Sequence, residues 1–128
     1  SEDVGTVINP QIVDGQITGG VIQGISNCLF EEFVYDETGQ QMTSTLENYK
    51  IATAADVPHI EVTHAGTPCP YTPLGSRGIG EGIPGPVPGA LSNAVSDALT
   101  PFGVEINELP LRPNTIWSLI QKNRQAAE

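Results

Sequence analysis

The sequence predicts an α+β fold: two long helices and a closing helix packed on a small, mostly antiparallel sheet. Three observations lead there. Apolar residues recur at helical spacing in two separated stretches, residues 14–33 and 87–99. Short runs that alternate apolar and polar residues lie outside them. A glycine- and proline-rich segment, residues 66–89, leads into the second helix. The chain has 128 residues, enough for one domain with a modest core, so residues 1–128 read as a single domain.

In chain order, Val4 to Ile8 predicts a short strand and Asn9-Pro10 a turn. Asp14 is placed to cap a helix that runs to about Phe33. Its apolar residues fall on two adjacent stripes, Ile17, Val21 and Cys28 beside Ile22, Ile25, Leu29 and Phe33, which predicts a wide buried face. Gly19, Gly20 and Gly24 each cost this helix about 1 kcal/mol of propensity. The usual compensation is close approach of another backbone or of a ligand. Phe33–Tyr35 and Met42–Leu46 flank Asp36-Glu37-Thr38-Gly39-Gln40 and predict a hairpin. Residues 48–58 carry no clear pattern. Ile60, Val62 and His64 alternate with Glu61 and Thr63 and predict another strand.

The segment from Gly66 to Gly89 has two readings, a flexible linker or a rigid wall around a site. The second is favoured because a well-patterned helix follows at once. Val87, Ala90, Leu91, Ala94, Val95, Ala98 and Leu99 make its apolar side, and it ends near Thr100-Pro101. Val104 to Leu109 predicts a last strand. Pro113 suits the first turn of a closing helix through about Gln125, with Ile116, Leu119 and Ile120 inward and Trp117 at an edge.

The formal net charge is −10, with five Lys and Arg residues. That balance argues against nucleic acid and against an anionic membrane surface as partners. No apolar run is long enough to span a bilayer. Cys28 and Cys69 are far apart, and no secretion signal opens the chain, which predicts reduced thiols in a cytoplasmic setting. The chain begins at Ser1 with a strand-like stretch directly behind it, as expected of a piece of a longer protein, although processing would give the same start.

Candidate chemistry narrows quickly. His59, His64 and Cys69 lack the paired short spacing of a zinc site and read as ordinary strand and loop residues. Cys28 reads as core. There is no Gly-x-Ser-x-Gly elbow, and Cys69 has no base nearby in sequence. The run Gly75 to Gly82 lacks the Gly-Lys-Ser/Thr end of a P-loop, and Ile83 stands where a dinucleotide fingerprint needs its last glycine. Glu81 remains. It is either an exposed loop glutamate of an acidic protein or a carboxylate whose side-chain-free neighbours let it approach a substrate as general base.

Several stretches taken together resemble a known family. They are Asp3-Val4-Gly5-Thr6-Val7-Ile8-Asn9-Pro10, Gly15-Gln16-Ile17-Thr18-Gly19-Gly20-Val21-Ile22-Gln23-Gly24, Gly78-Ile79-Gly80-Glu81, and the closing Leu109-Pro110-Leu111 and Ile116-Trp117. In order and spacing they are similar to the C-terminal part of the molybdopterin-binding large subunit of molybdenum hydroxylases, the xanthine oxidase/aldehyde oxidase family. The likeness is closest to the aerobic carbon monoxide dehydrogenase-like branch.

The resemblance implies that the chain is the C-terminal portion of a molybdopterin-binding domain. It implies Glu81 as the general base for hydroxylation of a small substrate at a molybdenum centre, with Gln16 and Gly80 as cofactor contacts. The cofactor would be molybdenum-molybdopterin, in bacteria as the cytosine dinucleotide. Its own groups would hold the metal, so no metal ligand is expected from the chain. Partners implied are the remainder of the large subunit, and iron–sulfur (2Fe-2S) and flavin (FAD) subunits or domains. The isolated chain would be inactive and would expose an apolar surface where the rest docks. Two departures stand out: Thr6 replaces the usual Arg, and residues 82–89 carry more proline than that branch. Rival readings are a non-catalytic interaction module that keeps the fold, and an unrelated acidic α+β binding domain.

Overall fold

The structure, a computed structural model, describes residues 2–126. Three helices organise it: α1 (Pro10–Leu29), α2 (Pro86–Ala98) and α3 (Pro113–Ala126), with a 3-10 turn at Thr100–Phe102 between the last two.

Helix α1 begins one turn earlier than the sequence predicts. Asn9 is the N-cap, its side chain accepting from the Ile12 N–H at 3.2 Å, and Pro10 takes the first helical position. Asn-Pro is therefore a start signal here, because proline lacks the N–H that this position would leave unpaired. Asp14, expected as the cap, lies inside the helix and pairs with His64 at 2.7 Å. Phe33, expected on the helix, lies beyond it and is exposed. Val13, Ile25 and Cys28 are the apolar side chains that α1 buries. Ser26, also buried, accepts from the Ala52 N–H at 2.9 Å and so ties the 50–52 segment to the helix.

The predicted glycine cost of α1 is offset by close packing at two positions. A Cβ on Gly20 would lie 2.6 Å from the Cβ of Ile83, and one on Gly24 would lie 2.5 Å from that of Val87. Residues four apart on one helix thus receive residues four apart on the other element, and α2 lies close against α1. Leu111, buried, donates its N–H to the Cys28 carbonyl at 2.7 Å and joins the closing segment to the end of α1. Helix α3 rests against the 3-10 turn, where Arg124 stacks over Phe102.

The expected antiparallel sheet does not form. Among the described residues there are no strands, only isolated antiparallel bridges, Gly5 with Ser76 and Tyr35 with Gln41. A strand exists only where a second backbone offers a ladder of partners. The Val4–Ile8 stretch meets 75–77 too briefly for that. The hairpin is present only as a turn: Asp36 Oδ1 accepts from the Thr38 and Gln40 N–H groups, and Met42 N–H reaches Val34 O at 2.7 Å. Ile60–His64 and Val104–Leu109 belong to no helix or strand. Alternation in Ile60–His64 instead marks a side laid on α1, since Val62 shares a cavity with Ile17 and Val21.

The chain exposes 9025 Å². A folded monomer of 13.5 kDa exposes about 6500 Å². The surplus, about 2500 Å², is well above the roughly 800 Å² that one partner contributes to a standard interface. Large apolar side chains contribute to it: Ile8, Ile12, Leu46, Tyr71, Leu74 and Trp117 are each more than half exposed. On α2 no residue is buried.

Candidate functional site

The site is built where α1, the N-terminal segment and the glycine loop before α2 meet. Gly5, Gly66 and Gly75 bring three backbone segments into contact. A Cβ on Gly5 would lie 2.2 Å from Gly75 O, and one on Gly66 would lie 2.2 Å from Gly5 O. Gly5 and Gly75 also adopt φ values of 65° and 70°, which favour glycine. Hydrogen bonds close this junction. Gly75 O accepts from Thr6 N–H at 2.9 Å and from Cys69 N–H at 2.8 Å, and Arg77 N–H donates to Val4 O at 2.8 Å. Asp3 Oδ1 accepts from the N–H groups of Gly5 and Thr67 at 2.9 and 3.0 Å, and its Oδ2 lies 3.3 Å from the Arg77 guanidinium. These contacts, led by the Gly5 N–H, hold the Asp3 carboxyl below its ordinary range.

From this junction the chain runs in two directions, into α1 with Gln16 and into the loop with Gly80 and Glu81. Gln16, Gly80 and Glu81 are all exposed. None of them lines the cavity next to them. The residues just after them do: Ile17, Gly82 and Ile83 share a largely apolar cavity of about 360 Å³ with Val21, Val62 and Val87, and Glu2 and Glu61 also stand in its wall. The structure thus brings the flanks of Gln16 and Glu81 to one cavity while leaving both side chains open to solvent.

The bare backbone around these residues is not filled by the chain itself. Gly15 and Gly19 on α1, and Gly78 and Gly80 on the loop, have no atom within 4 Å of the position a Cβ would take. Unlike Gly20 and Gly24, they make no internal contact that explains them. A flat polar group could approach either backbone closely, and the Gln16 amide both donates and accepts hydrogen bonds. That arrangement fits a molybdopterin-type cofactor. No cluster of metal-ligating side chains occurs among the described residues.

Sequence reasoning missed the Asp3–Arg77 contact and the pairing of Asp14 with His64. The only sequence signal for the former was the spacing Asp3-x-Gly5, a carboxylate two residues before a glycine. The two thiols differ. Cys28 is buried, which pushes its thiol pKa up, whereas the Tyr71 N–H, with help from Thr72 and Arg77, holds Cys69 below its ordinary value.

Comparison with known proteins supplies the context. Residues 1–58 match the family model described as a molybdopterin cofactor-binding domain. The chain is 44% identical over 115 residues to the nicotine 6-hydroxylase large subunit of Paenarthrobacter nicotinovorans, covering 90% of this chain and 14% of that protein. It is 33% identical over 125 residues to the carbon monoxide dehydrogenase large chain of Hydrogenophaga pseudoflava, covering 98% and 16%. In the solved structure of quinoline 2-oxidoreductase from Pseudomonas putida 86, 94% of this chain superposes with a TM-score of 0.91 at 46% identity, on 15% of that chain. The chain therefore spans only 14% to 16% of the length of these proteins.

Proposed function

We propose that this chain, a segment of the molybdenum hydroxylase large-subunit family, supplies the general base and part of the cofactor-binding surface of such an enzyme, as the C-terminal part of its large subunit. One observation carries the reading. The loop of Glu81 is keyed into the helix of Gln16 through Ile83 on Gly20 and Val87 on Gly24, so base and cofactor contact ride on one packed unit.

Each residue then has a defined task. Gln16 holds the polar edge of the pterin by donating and accepting hydrogen bonds. Gly80 keeps the loop free of a side chain, so that the cofactor and Glu81 come close together. Glu81 takes a proton at a carboxylate oxygen from the attacking nucleophile. When bound, the cofactor supplies the redox centre for a two-electron oxidation. The remainder of the large subunit covers the exposed loop and excludes water from it. We assign the cytosine dinucleotide form of the pterin, 2Fe-2S and FAD partners, a small-molecule substrate and a cytoplasmic setting to the complete enzyme. No nucleic acid or membrane partner is proposed, and no described helix is long and apolar enough to cross a membrane.

The test is Glu81→Gln in the complete enzyme. Turnover should fall by at least two orders of magnitude while molybdenum and pterin content stay at the unmodified level. Unchanged turnover would remove Glu81 as base and leave the chain as an interaction module.

A further inference from the structure

We propose that Asp3 is a positioning residue for Glu81, acting through the backbone junction that Asp3 holds together. The inference rests on the reading of Glu81 as the base. The loop 78–85 makes no backbone hydrogen bond of its own to the rest of the chain among the described residues, so, beyond the Glu2 carboxylate against Gly82, its two ends determine where it lies. The far end is seated by Ile83 and Val87 on α1. The near end leaves the junction at Arg77. There the Asp3 carboxylate gathers the N–H groups of Gly5 and Thr67 on one oxygen and the Arg77 guanidinium on the other.

One side chain therefore touches all three segments that meet there, four residues before Glu81. The same junction stands a few residues before the Asn9 cap of α1, and so before Gln16. Loss of the carboxylate leaves the Gly5 and Thr67 N–H groups without their partner and frees Arg77, while the seating of Ile83 and Val87 is untouched. The near end of the loop would then shift independently of the far end. A displacement near 1 Å at a general base can cost on the order of a hundredfold in rate.

The experiment compares Asp3→Ala, Asp3→Asn and Arg77→Gln in the complete enzyme, each at matched molybdenum content. Asp3→Ala should lower kcat at least tenfold with KM within twofold of the parent. Asp3→Asn keeps an oxygen for both N–H groups and should recover most of that loss. A second readout needs no cofactor. In cofactor-free protein, amide exchange at Thr6, Cys69 and Arg77, the donors that close the junction, should quicken at least tenfold in Asp3→Ala. A kcat within twofold of the parent, or unchanged exchange, overturns the proposal. Should Asp3→Ala fail to fold or to load, Arg77→Gln decides. It should lower kcat two- to threefold and quicken exchange at Thr6 and Cys69, and no change in either overturns the proposal. If Glu81→Gln leaves turnover intact, it is the base reading that fails, and the exchange measurement still decides whether Asp3 holds the junction.

Discussion

Adding one methyl group to α1 should have opposite effects at Gly24 and Gly19. At Gly24 the new Cβ would stand 2.5 Å from the Cβ of Val87 and 2.8 and 2.9 Å from its Cγ atoms. Carbon atoms in contact sit about 3.5–4.0 Å apart, so α2 must retreat by about 1 Å. Val87 cannot turn aside, because the nearest atom is its own Cβ. Overpacking of this kind costs about 1–3 kcal/mol, and Gly→Ala in a helix returns about 1 kcal/mol of propensity. With a clash this close, Gly24→Ala should destabilise by about 1–2 kcal/mol. Gly19 has nothing within 4 Å, so Gly19→Ala keeps the propensity gain and should stabilise by up to about 1 kcal/mol. Urea unfolding of the chain measures both. Adding Val87→Gly to Gly24→Ala should return part of the loss, read as a coupling energy in a double-mutant cycle. Equal effects at Gly19 and Gly24, or no coupling to Val87, would refute the packing argument.

Acid should destabilise the chain through its depressed aspartates. Asp3, Asp36 and Asp56 are all held below the ordinary Asp value of 3.8, led by the Gly5 N–H, the Thr38 hydroxyl and the Thr53 hydroxyl respectively. A depressed native pKa contributes stability above the unfolded value and loses it as pH falls through the native one. The thermal midpoint should therefore drop as pH falls from about 4 toward 2, and less steeply in Asp36→Asn. Iodoacetamide should label Cys69 well before Cys28, which is 1% exposed, and peptide mass spectrometry reads the order. Leu111→Ala removes a side chain that is 2% exposed and should cost about 2–5 kcal/mol, read from the urea midpoint. The isolated chain should bind a hydrophobic dye, and co-expression with the rest of a large subunit should abolish that binding.

What the sequence made legible follows from how local each signal is. Helices α2 and α3 were readable within a residue or so, because periodicity and proline placement act within a few turns. The start of α1 was misread because Asn9-Pro10 suits both a turn and a cap, and only the Ile12 N–H on the Asn9 side chain tells them apart. The sheet was a false expectation for a different reason. Alternating residues show that a segment has one covered side, but not whether a strand or a helix covers it, and for Ile60–His64 the neighbour is α1. Glu81, Gln16 and Gly80 were singled out as candidates through ordered motifs rather than through local physics. All three are exposed, so burial and local pairing gave no signal for them. Asp3 escaped notice because its partners Thr67 and Arg77 are distant in sequence, and folding alone brings them together.

The seating of Ile83 and Val87 on Gly20 and Gly24 also acts as a vernier. Gly20 and Gly24 are four residues apart, as are Ile83 and Val87, so the two contacts share one register. A shift of one helical turn, about 5.4 Å along α1, would set Ile83 against Gln16 or Val87 against Cys28 instead of a glycine. The distance of Gln16 from the seat of Ile83 and Val87 is therefore fixed, and only the loop ahead of that seat can move Glu81. Deleting one residue between Gly20 and Gly24, or between Ile83 and Val87, would unseat both ends at once, whereas length changes in the exposed turn at 36–40 would leave that spacing intact.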